Sequence, residues 1–147
     1  MKISVLCAGR LKERFFFDAV EEYKKRILKY ADLSIVEVSD GPDMEAEAER
    51  FLKVLPKDAF IFTLEIKGKR LTSEALAEKL EEVMVSGKSH IAFIIGGSDG
   101  LSETVLKRSD FPLSFSDFTF PHMLMRVILL EQIYRTFKII NHEPYHK

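Results

Sequence analysis

The last third of the chain, Ser114–Lys147, reads SFSDFTFPHMLMRVILLEQIYRTFKIINHEPYHK. A polar and aromatic loop opens this segment, a long apolar helix follows, and the polar tail Pro144-Tyr145-His146-Lys147 ends it. Three of the four histidines lie here, namely His122, His142 and His146. Histidine titrates near neutral pH and often serves as an acid or a base in active sites. We therefore expect chemistry and self-association to meet in this segment, with the upstream residues as its scaffold.

The predicted helix of this segment is apolar on almost every side. A helix that is hydrophobic all round is buried on every side. A subunit of this size can hardly cover both faces of such a helix, so we expect a homodimer that packs on residues 121–140. A charge at Leu129 or Ile133 should then split the dimer or prevent folding. The apolar positions are Met123, Leu124, Met125, Val127, Ile128, Leu129, Leu130, Ile133, Tyr134 and Phe137.

The polar residues of the same helix stand out against that apolar background. At about 100° per residue, His122 and Arg126 share one side of the helix. Glu131 and Arg135 share another side, and because they are four residues apart they can form an ion pair.

Strands and helices alternate along the chain without a hairpin signal, which predicts an α/β fold with a mainly parallel sheet and helices on both faces. We expect one domain over residues 1–147. Ligands of such sheets bind beyond the carboxyl ends of the strands, here the loops after Glu65, Ile95 and Phe115. The predicted strands are Ile3–Cys7, Leu33–Val38, Ala59–Glu65, His90–Ile95 and Phe111–Phe115, with a loop at Lys67-Gly68-Lys69. Helices are predicted over Lys12–Tyr30, over Met44–Leu55 with Asp43 as its cap, and from a cap at Thr72 or Ser73 to about Ser86. Two more are predicted over Ser102–Arg108 and from Pro121 to Asn141, which we expect to end the last helix in a left-handed conformation.

The composition excludes several classes of protein. The net charge of −1 and the pI near 6.4 weigh against a protein that grips nucleic acid through bulk electrostatics. No run of 18 apolar residues occurs, so we expect no membrane span and a cytoplasmic location. The single cysteine, Cys7, excludes an internal disulfide and a cysteine-rich zinc site. Cys7 falls in an apolar strand, where burial raises a thiol pKa, so we expect a small buried side chain rather than a nucleophile.

The glycine-rich segment Gly96–Gly100 lies between a predicted strand and a predicted helix. Glycines at such a place let the backbone approach a ligand closely. The segment is neither a dinucleotide-binding fingerprint nor a Walker loop. A ligand-binding loop and a plain tight turn both fit these residues.

Two other arrangements of polar residues suggest chemistry only weakly. His142 and His146 have the spacing of a metal-ligand pair, but Pro144 lies between them and no cysteine is at hand, so we expect no metal. Ser116, His122 and Asp117 could assemble a Ser–His–Asp site, although the sequence lacks a nucleophile-elbow pattern.

An ordered set of short motifs resembles the RlmH family, the 23S rRNA pseudouridine N3-methyltransferases of the SPOUT class. The resemblance covers essentially the whole chain, and its specificity comes from the order of the motifs rather than from any one of them. Glu65, Phe115 and Phe120 differ from the residues usual in the family, which alters only the fine shape of a pocket. The motifs are Leu64-Glu65-x-x-Gly68-Lys69, Ile95-Gly96-Gly97-x-Asp99-Gly100, Ser114-x-Ser116-x-x-Thr119-x-Pro121-His122-x-x-x-Arg126, Leu130-Glu131-Gln132-x-Tyr134-Arg135 and Pro144-Tyr145-His146-Lys147.

The resemblance implies a C-terminal trefoil knot, S-adenosylmethionine as the methyl donor, an obligate homodimer, and a substrate in the rRNA of the large ribosomal subunit. It implies His146 as the base that removes the proton from N3, with Tyr145 placing the base or the tail. Arg135 is the cation for an RNA phosphate or for the developing anion, and His122 fixes the loop that binds the donor. The implied donor-binding residues are Leu64, Gly96, Phe115, Ser116, Asp117, Phe118, Thr119 and Phe120.

Two other classes of function stay open at this stage. One is a SPOUT-like methyltransferase that acts on a different RNA, and the other is a non-catalytic homodimer that binds a small ligand. Thermal stabilisation by S-adenosylmethionine separates the second class from both enzymes. Methyl transfer to ribosomes, compared with free rRNA or tRNA, separates the first.

Overall fold

The computed structural model describes residues 1–147, in which five strands and five helices alternate. No helix is both long and apolar enough to cross a membrane. The strands are β1 (Lys2–Ala8), β2 (Asp32–Val38), β3 (Phe60–Arg70), β4 (His90–Ile95) and β5 (Phe111–Ser114). The helices are α1 (Arg14–Ile27), α2 (Met44–Val54), α3 (Ser73–Val85), α4 (Glu103–Leu106) and α5 (His122–Ile140).

All five strands pair in parallel, in the order β2-β1-β4-β3-β5. Successive side chains of β1 enter two different apolar layers, because side chains alternate between the faces of a strand. Ile3, Val5 and Cys7 pack with α1, α3 and α5, whereas Leu6 and Ala8 pack with α2 and α4. The predicted α/β fold with helices on both faces of a parallel sheet is confirmed. The trefoil knot stays a prediction.

β3 is longer than the sequence indicated. It continues to Arg70, through residues 67–69, which we expected to form a loop. The extension pairs with β5 across a register shift, so that Leu113 lies opposite both Leu64 and Lys69. Gly68 makes this close approach possible, because a Cβ there would lie 2.7 Å from the carbonyl oxygen of Pro112. The predicted loop was wrong because a polar sequence can form a strand when a neighbouring strand supplies its hydrogen bonds.

One side of α5 forms much of the core of a single subunit. Leu129 and Ile133 are fully buried between the sheet and the flanking helices. Of the two outcomes expected for a charge at either position, the structure favours the failure to fold, because such a charge would lie in the core of the subunit. The outward side of α5 carries Leu124, Val127 and Glu131, which lie within about 60° of one another around the helix axis. These three side chains are only half-buried.

An ion pair between the buried Arg126 and the partly exposed Glu37 fastens α5 to the strand ends. Arg126 is 1% exposed, and its guanidinium donates to the Glu37 carboxylate at 2.5 Å and to the Gly9 carbonyl oxygen at 3.2 Å. Glu37 lies near the end of β2, and Gly9 directly follows β1. Removing one partner of a buried charged pair is costly. Arg126 therefore fixes where the first turns of α5 lie along the strand ends.

The end of α5 differs in one detail from the sequence prediction. Asn141, which we expected to be left-handed, has φ −89°, and its side chain donates to the Phe137 carbonyl oxygen at 2.8 Å. His142 takes the left-handed conformation instead, with φ 54°. The reversal directs the tail back along α5.

Candidate active site

A cleft of about 930 Å³ opens beyond the carboxyl ends of β3, β4 and β5. Its walls come from the strand ends, the segment Gly96–Leu101 and the loop that precedes α5. Carboxyl ends of parallel strands meet at one edge of a sheet, and ligands bind there. The volume lies within the range of about 300–1,000 Å³ that small-molecule and cofactor sites occupy.

Most of the residues that the family resemblance implies for binding the donor line this cleft, and so does His122. The exception is Asp117, whose exposed carboxylate turns away and accepts a hydrogen bond from Arg70 at 2.7 Å. This contact holds the loop against the extension of β3, and the assignment of Asp117 to the donor site stays a prediction. The predicted residues that do line the cleft are Leu64, Gly96, Phe115, Ser116, Phe118, Thr119, Phe120 and His122.

The glycine-rich segment is both a tight turn and a wall of the cleft. The Gly100 amide donates to the Gly97 carbonyl oxygen at 3.0 Å, and Gly100 has φ 84°. A Cβ on Gly96 would lie 2.5 Å from the Gly100 carbonyl oxygen. The segment therefore closes on itself only because Gly96 has no side chain. Backbone groups of Gly96–Gly100 border the cleft directly.

We expect the substitution Gly96→Ala to weaken binding of S-adenosylmethionine by at least about tenfold, because the segment must open to relieve the backbone clash. Calorimetric titration measures the loss. Gly97→Ala is the matched control, since its new Cβ would meet the end of the flexible Glu47 side chain at 3.3 Å rather than backbone. Equal affinity for both variants would contradict the proposed wall.

The loop before α5 presents an aromatic side chain at the mouth of the cleft. Phe118 is 78% exposed, and its amide donates to the Ser116 hydroxyl at 3.0 Å. The Ser114 hydroxyl donates to the Ser116 carbonyl oxygen at 3.2 Å. Neither Ser116 nor Asp117 bonds to His122, so a Ser–His–Asp site is not assembled. Phe118 is free to cover an aromatic ring bound in the cleft.

The C-terminal tail folds onto the second half of α5. Glu131 holds Arg135 with both carboxylate oxygens, at 3.0 and 3.2 Å, and it accepts the Tyr145 hydroxyl at 2.7 Å. The Arg135 guanidinium also lies 4.7 Å from the centre of the Tyr145 ring. The predicted Glu131–Arg135 pair is confirmed. Burial, and then the bond to Glu131, raise the pKa of Tyr145 to about 12, so this phenol stays protonated near neutral pH.

His146 completes this group, which we call the tail cluster: Glu74, Glu131, Arg135, Tyr145 and His146. Its Nδ1 lies 3.1 Å from Nη1 of Arg135, and its Nε2 lies 2.5 Å from the carboxylate of Glu74 at the start of α3. The tail is therefore attached to α5 and to α3 at once. The structure brings together the three predicted tail residues, Arg135, Tyr145 and His146.

The tail cluster does not reach the cleft of its own subunit. His122 and Arg135 are thirteen residues apart on α5, which corresponds to about 20 Å along the helix. A smaller pocket of about 210 Å³ lies beside the cleft and shares Leu113, Phe115 and Phe120 with it. Gln132 borders this pocket, accepting from the Ser73 hydroxyl at 2.7 Å and donating to Glu131 at 3.0 Å.

Comparison with known proteins identifies the fold. The family profile described as "Predicted SPOUT methyltransferase" matches residues 1–146. The chain belongs to the SPOUT methyltransferase family. A protein of Methanococcus maripaludis is 55% identical over 100% of both chains. Proteins of Bifidobacterium animalis subsp. lactis and Acetivibrio thermocellus are 50% and 45% identical, also over 100% of both chains, and each is named ribosomal RNA large subunit methyltransferase H.

Two features of this SPOUT methyltransferase concern other kinds of site, namely a cysteine nucleophile and a metal centre. Burial raises the pKa of the Cys7 thiol to about 12, so Cys7 stays a neutral thiol within the sheet. No group of three His, Cys, Asp or Glu side chains is arranged to hold a metal ion.

Sequence reasoning missed Glu74 and Gln132 as members of this neighbourhood. Glu74 is 72 residues from His146, and Gln132 is 59 residues from Ser73. The sequence indicates only a helix cap at Thr72, which places Glu74 in the first turn of α3. No local pattern connects that turn with the tail.

Proposed function

We propose that this chain methylates N3 of a pseudouridine in 23S rRNA of the large ribosomal subunit, using S-adenosylmethionine as the donor. It would act in the cytoplasm as a homodimer, in which each subunit is one SPOUT domain spanning residues 1–147. The observation that carries the proposal is the full-length match to proteins named ribosomal RNA large subunit methyltransferase H. The cleft beyond the strand ends supplies a site of suitable size.

The chemistry of the cleft fits S-adenosylmethionine. Leu64 and Phe118 offer apolar surfaces for the two faces of an adenine, and backbone groups of Gly96–Gly100 can bond to its polar edge. The carboxylates of Glu65 and Asp99 also line the cleft and complement a cationic ligand. When bound, S-adenosylmethionine supplies a methyl group on a positively charged sulfur. His122 begins α5 and lines the same cleft. Its proposed role is to fix the loop that binds the donor.

The N3 of pseudouridine is a weakly acidic imide that is protonated at neutral pH, so a base must accept its proton during the reaction. His146 is the proposed base, and Tyr145 keeps the tail in place through its bond to Glu131. Arg135 carries a positive charge that can stabilise the developing anion or an RNA phosphate. Its bond to Glu131 raises the pKa of Arg135, so the charge is retained.

Within one subunit, His122 at the cleft and Arg135, which bonds to the proposed base, are about 20 Å apart along α5, and no residue of the tail cluster lines the cleft. Two subunits that pack α5 against α5 in opposite directions about a two-fold axis bring the tail cluster of one to the cleft of the other. The half-buried Leu124 and Val127 provide an apolar surface for that contact. Each complete site would then contain S-adenosylmethionine on one subunit and the tail cluster of its partner.

Calorimetric titration with S-adenosylmethionine, combined with the native mass of the same sample, tests the cofactor and the dimer. We expect a dimer that binds the donor. Transfer of a radiolabelled methyl group should then occur to ribosomes that lack the modification. A folded dimer without affinity for S-adenosylmethionine would overturn the proposal. Transfer only to free tRNA or another RNA would retain the methyltransferase and replace its substrate.

A further inference from the structure

We propose that Glu74 is a positioning residue for His146, fixing the orientation of the imidazole so that Nδ1 is the nitrogen that accepts the substrate proton. The inference rests on the proposed function, in which His146 is the base. Glu74 does not touch the reacting atoms, and it acts through the ring of His146.

The hydrogen bonds of His146 determine its tautomer. Arginine can only donate, so Nδ1 of His146 must be the acceptor of the bond from Arg135 at 3.1 Å. The other ring nitrogen, Nε2, then carries the hydrogen of a neutral imidazole and donates it to the Glu74 carboxylate at 2.5 Å. A carboxylate on one nitrogen and an acceptor lone pair on the other is the arrangement in which a third group orients a histidine base.

Glu74 lies on a helix rather than in the tail. It lies in the first turn of α3, where Thr72 caps the helix by accepting from the Ala75 amide at 3.0 Å. Ser73, the preceding residue, bonds to Gln132 of α5 at 2.7 Å. The start of α3 is therefore fixed relative to α5. Because α5 also carries Arg135, both partners of His146 stand on one framework.

The charge of Glu74 suits this task. The bond from His146 lowers the pKa of Glu74, and the start of a helix favours a negative charge. Glu74 is therefore ionised near neutral pH. When His146 becomes an imidazolium, this carboxylate faces the new charge directly through Nε2.

The position of Arg135 indicates what happens at Nδ1. Glu131 holds the guanidinium through Nε and Nη2, which leaves Nη1 as the group that occupies Nδ1 of His146. The N3–H group of the substrate takes over this acceptor, and Nη1 is then placed beside the adjacent imide oxygen.

The step balances in protons and electrons. The N3 proton passes to Nδ1, and the N3 electron pair forms the bond to the methyl carbon. The electron pair of the broken carbon–sulfur bond stays on sulfur, which becomes a neutral thioether. His146 ends as an imidazolium whose Nε2–H still bonds to Glu74.

Glu74→Ala and Glu74→Gln test this role in the full-length dimer. We expect Glu74→Ala to lower kcat by about tenfold to a hundredfold, as the loss of orienting partners commonly does. The KM for ribosomes and the affinity for S-adenosylmethionine should stay close to their original values. Glu74→Gln should lie between the alanine variant and the unmodified chain, because its amide oxygen still accepts from Nε2–H but carries no charge. Glu78→Ala is the matched control, since it removes an exposed carboxylate one turn further along α3.

Nitrogen NMR of histidine-labelled protein provides a readout independent of activity. We expect His146 to be the Nε2–H tautomer both in the unmodified chain and in Glu74→Ala, because Arg135 still donates to Nδ1 in the variant. The Nε2 resonance should shift in Glu74→Ala, because the hydrogen bond from Nε2–H to the carboxylate is lost. An Nδ1–H tautomer in the unmodified chain would overturn the inference. A Glu74→Ala variant that raises KM while kcat is unchanged would also overturn the inference, because Glu74 would then only attach the tail to α3. An unmodified chain that binds no S-adenosylmethionine or transfers no methyl group overturns the proposed function instead.

Discussion

Replacing His146 with alanine should reduce methyl transfer by about a hundredfold to ten-thousandfold, the range that a positioned general base contributes. Affinity for S-adenosylmethionine should stay close to normal, because His146 contacts Arg135 and Glu74 and does not line the cleft of its own subunit. Single-turnover transfer of radiolabelled methyl to ribosomes measures the first quantity, and calorimetry measures the second.

His142→Asn is the control for this prediction. His142 is exposed in the same tail, and asparagine tolerates the left-handed conformation that His142 adopts at φ 54°. It should retain activity. If the affinity of the His146 variant for S-adenosylmethionine falls as much as its activity, the tail is part of the donor pocket and its role as a base is wrong.

Placing a glutamate at Leu124 or Val127 should convert the dimer into monomers and remove most of the activity, while each subunit still binds S-adenosylmethionine. Both side chains lie on the outward side of α5 and are only half-buried in the subunit, so folding should survive. A carboxylate without a partner in an apolar contact costs several kcal/mol. Sedimentation velocity measures the mass, and the activity assay follows.

Val85→Glu is the matched control for the interface, because Val85 is an apolar residue that is 82% exposed on α3. Its dimer should be unaffected. A dimer that persists with glutamate at both Leu124 and Val127 would show that subunits associate elsewhere.

The same dimer permits a test of sites shared between subunits. In a mixed dimer of His146→Ala and Gly96→Ala chains, one of the two shared sites contains both substitutions and the other contains neither. At a donor concentration too low for the Gly96→Ala chain to bind it, each variant alone should be nearly inactive, and mixing the two should restore part of the activity. Absence of restoration, with mixed dimers confirmed by mass, would place the base and the donor on the same subunit.

The order of elements was predictable because it depends on local patterns. The continuous apolar runs of β3 and β4 and the capping residues Asp43 and Thr72 are properties of short segments. The end of β3 was not predictable, because residues 66–70 form a strand only through pairing with β5. Whether a charge at Leu129 or Ile133 would split a dimer or prevent folding was not predictable for a related reason, since an all-round apolar helix does not reveal which side the sheet covers.

The residues of the candidate site were likewise predictable only in part. The residues lining the cleft follow from strand ends and from the family resemblance, and most of them lie where expected. The bond between Asp117 and Arg70 was not predictable, because Arg70 belongs to the unpredicted extension of β3. Glu74 was missed because its partner is 72 residues away, and a single sequence contains no trace of such a pair.

The anchor formed by Arg126 has a consequence for how the molecule folds. Arg126 bonds to Gly9, which lies 117 residues earlier in the chain, and to Glu37, which lies 89 residues earlier. Contacts between distant segments form slowly, because much chain must be ordered before they yield any stabilisation. The sheet can therefore begin to assemble before α5 docks on the strand ends. The loop before α5 is a wall of the cleft, so the cleft takes its final shape late in folding, once Arg126 has reached its two partners.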